Sequence, residues 1–237
     1  MGAISAALQA CRHRIDRACD EAARGNDCAR LLAVSKTFPT SAIREAHHAG
    51  QLAFGESYLQ EALPKLDALA DLPLEWHFIG PLQGNKTAAV AARFAWVHGL
   101  ERQDHARRLS RQRPTALPPL NVCVQVNLSG EASKHGVAAV EALALAHGVA
   151  ALPGLRLRGF MTLPEASRDP NLPRARFREL AELLRQARRA GLPVDTLSMG
   201  MSDDLEAAIL EGATIVRVGT AIFGARRYTD QDNREAA

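Results

Sequence analysis

Lysine is scarce in this chain. Lys36, Lys65, Lys86 and Lys134 are the only lysines among 29 basic residues, and arginine supplies the rest. Cysteine is scarce as well. Cys11, Cys19, Cys28 and Cys123 form no C-x-x-C pair, and three of them lie near the start of the chain. Soft-metal sites need clustered thiolates or imidazoles, so this spacing argues against a metal centre. It predicts reduced thiols in a cytoplasmic protein rather than a disulfide framework. No stretch approaches the ~18 continuous apolar residues of a membrane span, and residues 1–12 hold no apolar signal core. Membrane attachment is therefore not expected. The net charge is only +3, and the arginines are spread along the chain. A nucleic-acid surface needs its basic residues on one face, so that partner class is not expected either.

The 237 residues, 47% of them hydrophobic, suffice for one large core. The reading is a single domain over residues 1–237, with a polar tail after about residue 228 that frays. Short apolar runs alternate with amphipathic stretches throughout. After a first helix over 4–23, strand-like runs fall at 31–34, 52–54, 75–79, 95–98, 120–126, 155–161, 196–199 and 214–218. Helical stretches separate them. Eight β-α units with buried, apolar strands predict a parallel sheet. The count favours a (β/α)8 TIM barrel with an extra N-terminal helix, the alternative being a doubly wound open sheet.

A barrel of this kind carries its chemistry at the C-terminal ends of its strands. Lys36 follows the run Leu-Leu-Ala-Val-Ser directly. Desolvation at an apolar mouth favours the neutral, nucleophilic amine that imine formation with an aldehyde requires. The same position also suits a lysine that snorkels to solvent. The turns Ser-Met-Gly-Met-Ser (198–202) and Val-Arg-Val-Gly-Thr (216–220) let backbone N–H groups approach an anion, and TIM barrels often bind phosphate at this corner. Asp203 and Asp204 would repel that anion unless they point elsewhere, and ordinary turns with a helix cap read equally well there. Arg217, inside its strand, faces the barrel interior or a partner carboxylate. His105, His135 and His147 read as solvated, and Arg107, Arg108, Arg111 and Arg113 as a solvated basic face.

Seven ordered motifs then carry a resemblance. Leu-Ala-Val-Ser-Lys-Thr (32–37), Phe-Gly-Glu-Ser-Tyr-Leu-Gln-Glu (54–61) and Trp-His-Phe-Ile-Gly-Pro-Leu-Gln-Gly-Asn-Lys (76–86) come first. Residues 126–136, Arg-Gly-Phe-Met-Thr (158–162), Leu-Ser-Met-Gly-Met-Ser-Asp-Asp (197–204) and residues 216–226 follow. From about residue 30 to 226 the chain resembles the YggS/PROSC family of pyridoxal 5'-phosphate (PLP) homeostasis proteins. The resemblance implies a fold-type III barrel like the N-terminal domain of alanine racemase, with PLP held as a Schiff base on Lys36. It implies phosphate contacts from Ser202, Gly219 and Thr220, and Arg217 facing the pyridine nitrogen. Ser57, His77 and Ser198 complete the expected cofactor-binding set. Ser57 stands where the family usually has asparagine, and Gly84, Gly130 and His135 also depart from its pattern.

The residues favour a carrier over an enzyme. Arginine only donates, so Arg217 would leave the pyridine nitrogen unprotonated and the ring a weak electron sink. A second acid or base for the far face of a substrate is not evident; Tyr58 and Tyr228 are the only tyrosines. The expectation is storage, buffering or delivery of PLP by a monomer in transient contact with apo-enzymes. A PLP-dependent racemase or decarboxylase and a PLP-free Schiff-base aldolase are the rivals. Lys134 is a candidate second acceptor during transfer.

Overall fold

In the computed structural model, residues 2–25, 27–131, 134–164 and 171–225 are described. Helix α1 (Ala3–Glu21) leads into β1 (Arg30–Val34), α2 (Thr40–His48), β2 (Ala53–Glu56), α3 (Leu59–Ala68) and β3 (Glu75–Phe78). Then come α4 (Thr87–Arg93), β4 (Trp96–Leu100), α5 (Gln103–Gln112), β5 (Leu120–Asn127), the two-residue β6 (Val137–Ala138) and α6 (Ala139–Ala150). The chain continues through β7 (Leu155–Met161), α7 (Asn171–Arg189), β8 (Thr196–Ser198), α8 (Leu205–Leu210), β9 (Ile215–Val218) and the single turn α9 (Thr220–Phe223).

All strand pairs are parallel. They run β4-β3-β2-β1-β9-β8-β7-β5, and β4 pairs with β5 to close the ring. Short β6 only extends β5 at its end. The eight-stranded barrel and its preceding helix are those expected from the sequence. Alternation along each strand sorts the side chains. Phe54, Phe78 and Phe160 are fully buried outward against the helices. Burying each contributes roughly 1.5–3 kcal/mol. Leu32, Ala53, Trp96, Cys123, Met161 and Ile215 fill the barrel itself. Gly159 lets β7 and β8 approach closely. Its φ is +149°, and a Cβ there would sit 2.0 Å from the Thr196 carbonyl oxygen.

Three sequence expectations need correction. Cys19 and Cys28 are joined by a disulfide, with Cα atoms 5.9 Å apart, whereas Cys11 and Cys123 are free and buried. The end of α1 folds back beside the approach to β1, so two residues nine apart in sequence meet; spacing alone did not show that return. His105 is buried on the inner face of α5. Arg113 is no solvated charge, because its guanidinium donates to the carbonyls of Ala91, Phe94 and Pro118 and ties α5 to the turn before β4. The expected fraying after residue 228 falls outside the described residues. No described helix is long and apolar enough to cross a membrane.

Two outcomes follow. Denatured without reductant, the protein should expose two titratable thiols, rising to four after reduction. Gly159→Ala should lower stability by about 3 kcal/mol, from backbone strain plus overpacking, seen as a lower urea midpoint at unchanged slope.

Candidate functional site

A cavity of about 210 Å³ opens at the C-terminal mouth of the barrel. Lys36, just past β1, and Ser57, just past β2, line it together with Arg217, Gly219 and Thr220 at the end of β9. Ser202 lines it from the loop after β8. Six of the eight expected cofactor residues are thus brought together. A larger hollow, about 430 Å³, lies at the other end beside α1. Its polar side chains serve the fold: Arg12 donates to the Ala49 carbonyl, and Gln51 to those of Leu31 and Ala53. The smaller cavity is the candidate site, because there an amine converges with a guanidinium and two hydroxyls.

The turn that carries Lys36 is clamped from behind. Lys65 Nζ donates to the Ser35 carbonyl at 2.9 Å and to Glu56 Oε1 at 3.0 Å. It also pairs with the Glu61 carboxylate. Ser35 Oγ donates to Glu56 Oε1 at 2.6 Å, and the Thr37 N–H donates to Glu61 at 2.6 Å. Thr37 has φ +67°, so the chain reverses immediately after the lysine. A non-glycine residue in that region is held there by its surroundings. Glu56 is fully buried, and burial pushes its carboxyl up from the ordinary value despite the Lys65 charge. Its Oε2 has no hydrogen-bond partner among the described residues.

The opposite wall suits an anion. Thr220 Oγ1 donates to Ser202 Oγ at 3.1 Å, placing two hydroxyls side by side. At Gly219 a Cβ would come within 3.2 Å of the Val34 carbonyl oxygen, so this turn has little room for a side chain. Arg14 on α1 fixes the loop from outside. It donates to the Ser202 carbonyl at 2.9 Å and grips Glu206 bidentately at 2.6 and 2.8 Å. Asp204 turns into its own loop and accepts from the Met201 N–H at 2.5 Å. Asp203 lines the mouth but is exposed, where water screens it.

Arg217 is 4% exposed, and burial pushes its guanidinium down to about 10. Nη1 donates to Ser198 Oγ at 2.7 Å and Nη2 to the Thr162 carbonyl at 2.8 Å. Arginine has five donors, so the side chain lining the cavity retains capacity for an acceptor placed there. His77 and Ser198 stand apart from the cavity lining. Both are buried inside the barrel behind Arg217. His77 contacts Glu75 and His98, and Ser198 contacts His98 and Arg217. Lys134 is exposed and outside the lining.

Sequence reasoning passed over Lys65, Arg14 and His98, and set Glu56 at the end of its strand without giving it a role. Lys65 had one signal, its rarity, the same property that singled out Lys36. Lys65→Met should cost about 3–5 kcal/mol, because it strands a buried carboxylate. Glu56 has a raised folded value, so the protonated form relieves the loss at low pH. The deficit should grow as pH rises through that value, read from urea unfolding across pH.

The sequence profile of the alanine racemase N-terminal domain family matches residues 6–227. The pyridoxal phosphate homeostasis protein of Pseudomonas aeruginosa is 59% identical over 215 residues, covering 91% of this chain and 92% of that protein. The protein of the same name from Escherichia coli K12 is 48% identical, covering 97% and 99%. Among solved structures, PipY of Synechococcus elongatus with PLP bound superposes with a TM-score of 0.82 at 33% identity, covering 93% of this chain and all of that one. Alanine racemase from Corynebacterium glutamicum, at 21% identity and a TM-score of 0.68, shares the fold. The chain belongs to the family of pyridoxal phosphate homeostasis proteins, built on the alanine racemase N-terminal domain.

Proposed function

We propose that this protein holds PLP as an imine on Lys36 and stores, buffers or delivers the cofactor rather than using it in catalysis. The observation that carries the reading is the convergence of three groups in one small cavity. They are a lysine on a clamped turn, a hydroxyl pair beside a tight glycine turn, and a buried guanidinium with donors to spare. These match, in order, an aldehyde, a phosphate and a ring-nitrogen acceptor. The cofactor supplies an aldehyde that condenses reversibly with an amine, water being the other product.

The chain's own residues divide the work. Lys65, Glu56 and Glu61 hold the turn so that the Lys36 side chain enters the cavity. Ser202 and Thr220 offer hydroxyls, and Arg14 keeps their loop in place from outside the barrel. Arg217 would donate to a ring nitrogen and leave it without a proton, which would weaken electron withdrawal. Among the described lining residues there is no histidine, tyrosine or cysteine. Asp203 is the one carboxylate, and it sits exposed at the mouth. This set supports holding over turnover. Delivery to apo-enzymes is supported by the rim, where Leu163 and Met201 line the cavity and are 44% and 39% exposed.

The purified protein incubated with PLP should show a visible imine absorption band. Borohydride reduction and peptide mass mapping should then place a pyridoxyl adduct on Lys36. A colourless protein that takes up no PLP refutes the reading. Arg14→Ala should weaken PLP binding about tenfold, the worth of one charged hydrogen bond, while leaving affinity for phosphate-free pyridoxal unchanged. Equal losses for both ligands would remove Arg14 from the phosphate side.

A further inference from the structure

A line of polar side chains runs through the interior of this barrel, a region usually filled by branched apolar residues. It starts at Glu75, the first residue of β3, whose carboxylate meets Arg30 at 2.8 Å. Glu75 Oε1 is 2.8 Å from His77 Nε2. His77 Nδ1 is 2.9 Å from His98 Nε2. His98 Nδ1 is 2.8 Å from Ser198 Oγ, which receives Arg217 Nη1 at 2.7 Å. His77, His98 and Ser198 are 1%, 0% and 0% exposed. Four strands contribute, and the line joins the barrel floor to the cavity at its mouth.

The two ends dictate every bond between them. An ionised carboxylate only accepts and a guanidinium only donates. The hydrogen bond from His77 and the Arg30 guanidinium at 2.8 Å hold the Glu75 carboxyl below its ordinary value, so it is ionised at neutral pH. His77 must therefore carry its hydrogen on Nε2. At the other end Ser198 accepts from Arg217 and has one hydrogen left, which goes to His98 Nδ1. That nitrogen must be bare, so neutral His98 carries its hydrogen on Nε2 and donates to a bare His77 Nδ1. Each nitrogen and oxygen in the line is then satisfied with both imidazoles neutral. A further proton would leave either two hydrogens between the rings or a buried hydroxyl turned from its acceptor. Burial also disfavours the charged form of each imidazole.

The charged neighbours are consistent with this state. Glu75 and Arg30 face His77 from β3 and β1, and Arg217 faces His98 from β9. Trp96 stacks on His77 with ring centroids 5.2 Å apart, and Arg158 lies 4.8 Å from the Trp96 ring.

We propose that His77, His98 and Ser198 are positioning residues for Arg217: a one-directional hydrogen-bond chain, anchored on Glu75, that fixes how the guanidinium presents its remaining donors to the cavity. Bonds in such a chain polarise one another, so the Glu75 charge strengthens Ser198 as the acceptor that holds Arg217. The effect on cofactor rests on the PLP-binding reading above, whereas the direction of the chain does not.

Nitrogen-15 NMR of labelled histidine in the cofactor-free protein tests the direction. The expected result at pH 7 is two neutral imidazoles, His77 and His98, both with hydrogen on Nε2 and bare on Nδ1, and neither titrating from pH 5 to 8. A hydrogen on Nδ1 of either ring, or an imidazolium, overturns the proposal, and this holds even if a variant fails to fold. Glu75→Leu, at the floor and outside the cavity, removes the acceptor. It should change the His98 ring signals and weaken PLP binding about tenfold, the worth of one hydrogen bond. Glu75→Gln keeps an accepting oxygen and should recover most of that affinity. A Glu75→Leu protein that keeps wild-type PLP affinity and imine absorption maximum refutes the positioning role. If instead Lys36 forms no adduct while the wild-type tautomers are as described, the function falls and the chain stands.

Discussion

The buried guanidinium of Arg217 is the constraint around which this barrel is organised. A guanidinium at 4% exposure, with no carboxylate among the described residues hydrogen-bonded to it, is satisfied by neutral acceptors. The Thr162 carbonyl at the end of β7 supplies one and the Ser198 hydroxyl on β8 supplies the other. Both strands are therefore held in register at their C-terminal ends by the residue they serve. The fully buried Thr162 hydroxyl in turn donates to the Val126 carbonyl, carrying the same tie across to β5. A side chain that lines the cavity thus also fixes the strands that form its wall.

A second buried charge works differently. Lys65 is paired with two carboxylates and a carbonyl, and its group lies behind the cavity rather than in it. Replacing the whole group of three by packed apolar residues is close to neutral for stability, whereas removing one member is costly. The arrangement is better understood through the turn it shapes. Thr37 takes a conformation that a β-branched residue adopts only under constraint, and the constraint is the Glu61 carboxylate on its N–H. Lys36 sits between that residue and Ser35, whose carbonyl Lys65 holds. The Lys36 amine is thus carried on a backbone fixed on both sides, so a ligand that engages it, as proposed, would leave little conformational entropy to be lost.

What the sequence made legible and what it hid divide along one physical line. Strand and helix periods are local, and the eight units and their order were read directly from them. Lys36 was legible because a rare residue followed an apolar run, and the Ser202–Gly219–Thr220 corner because its turn chemistry is local. Contacts that depend on which way a strand's alternate residues face were hidden. His77 was expected beside the cofactor, yet its position in β3 sends it into the barrel, where His98 from the neighbouring strand meets it. Cys19 and Cys28 looked like separate thiols because the return of the chain after α1 is a tertiary fact. The partnership of Arg14 and Ser202, 188 residues apart, could not be read from periodicity at all.

The extra helix acquires its meaning from that partnership. A bare (β/α)8 ring needs nothing before β1, yet α1 packs against α8 and α9, the two short helices that flank the Ser202–Thr220 corner. Helix α8 has six residues and α9 four, too short to be stable without tertiary support. Arg14 supplies part of that support through Glu206 on α8 and, with the same guanidinium, fixes the Ser202 carbonyl. Arg24, just beyond α1, holds the carbonyls of Ile209 and Ala213 at the far end of α8. Helix α1 is therefore a brace across the last two β-α units, and it stiffens the loops that carry the Ser202 and Thr220 hydroxyls at the mouth. A barrel without it would keep its lysine and its arginine but would lose the rigidity of the corner between them.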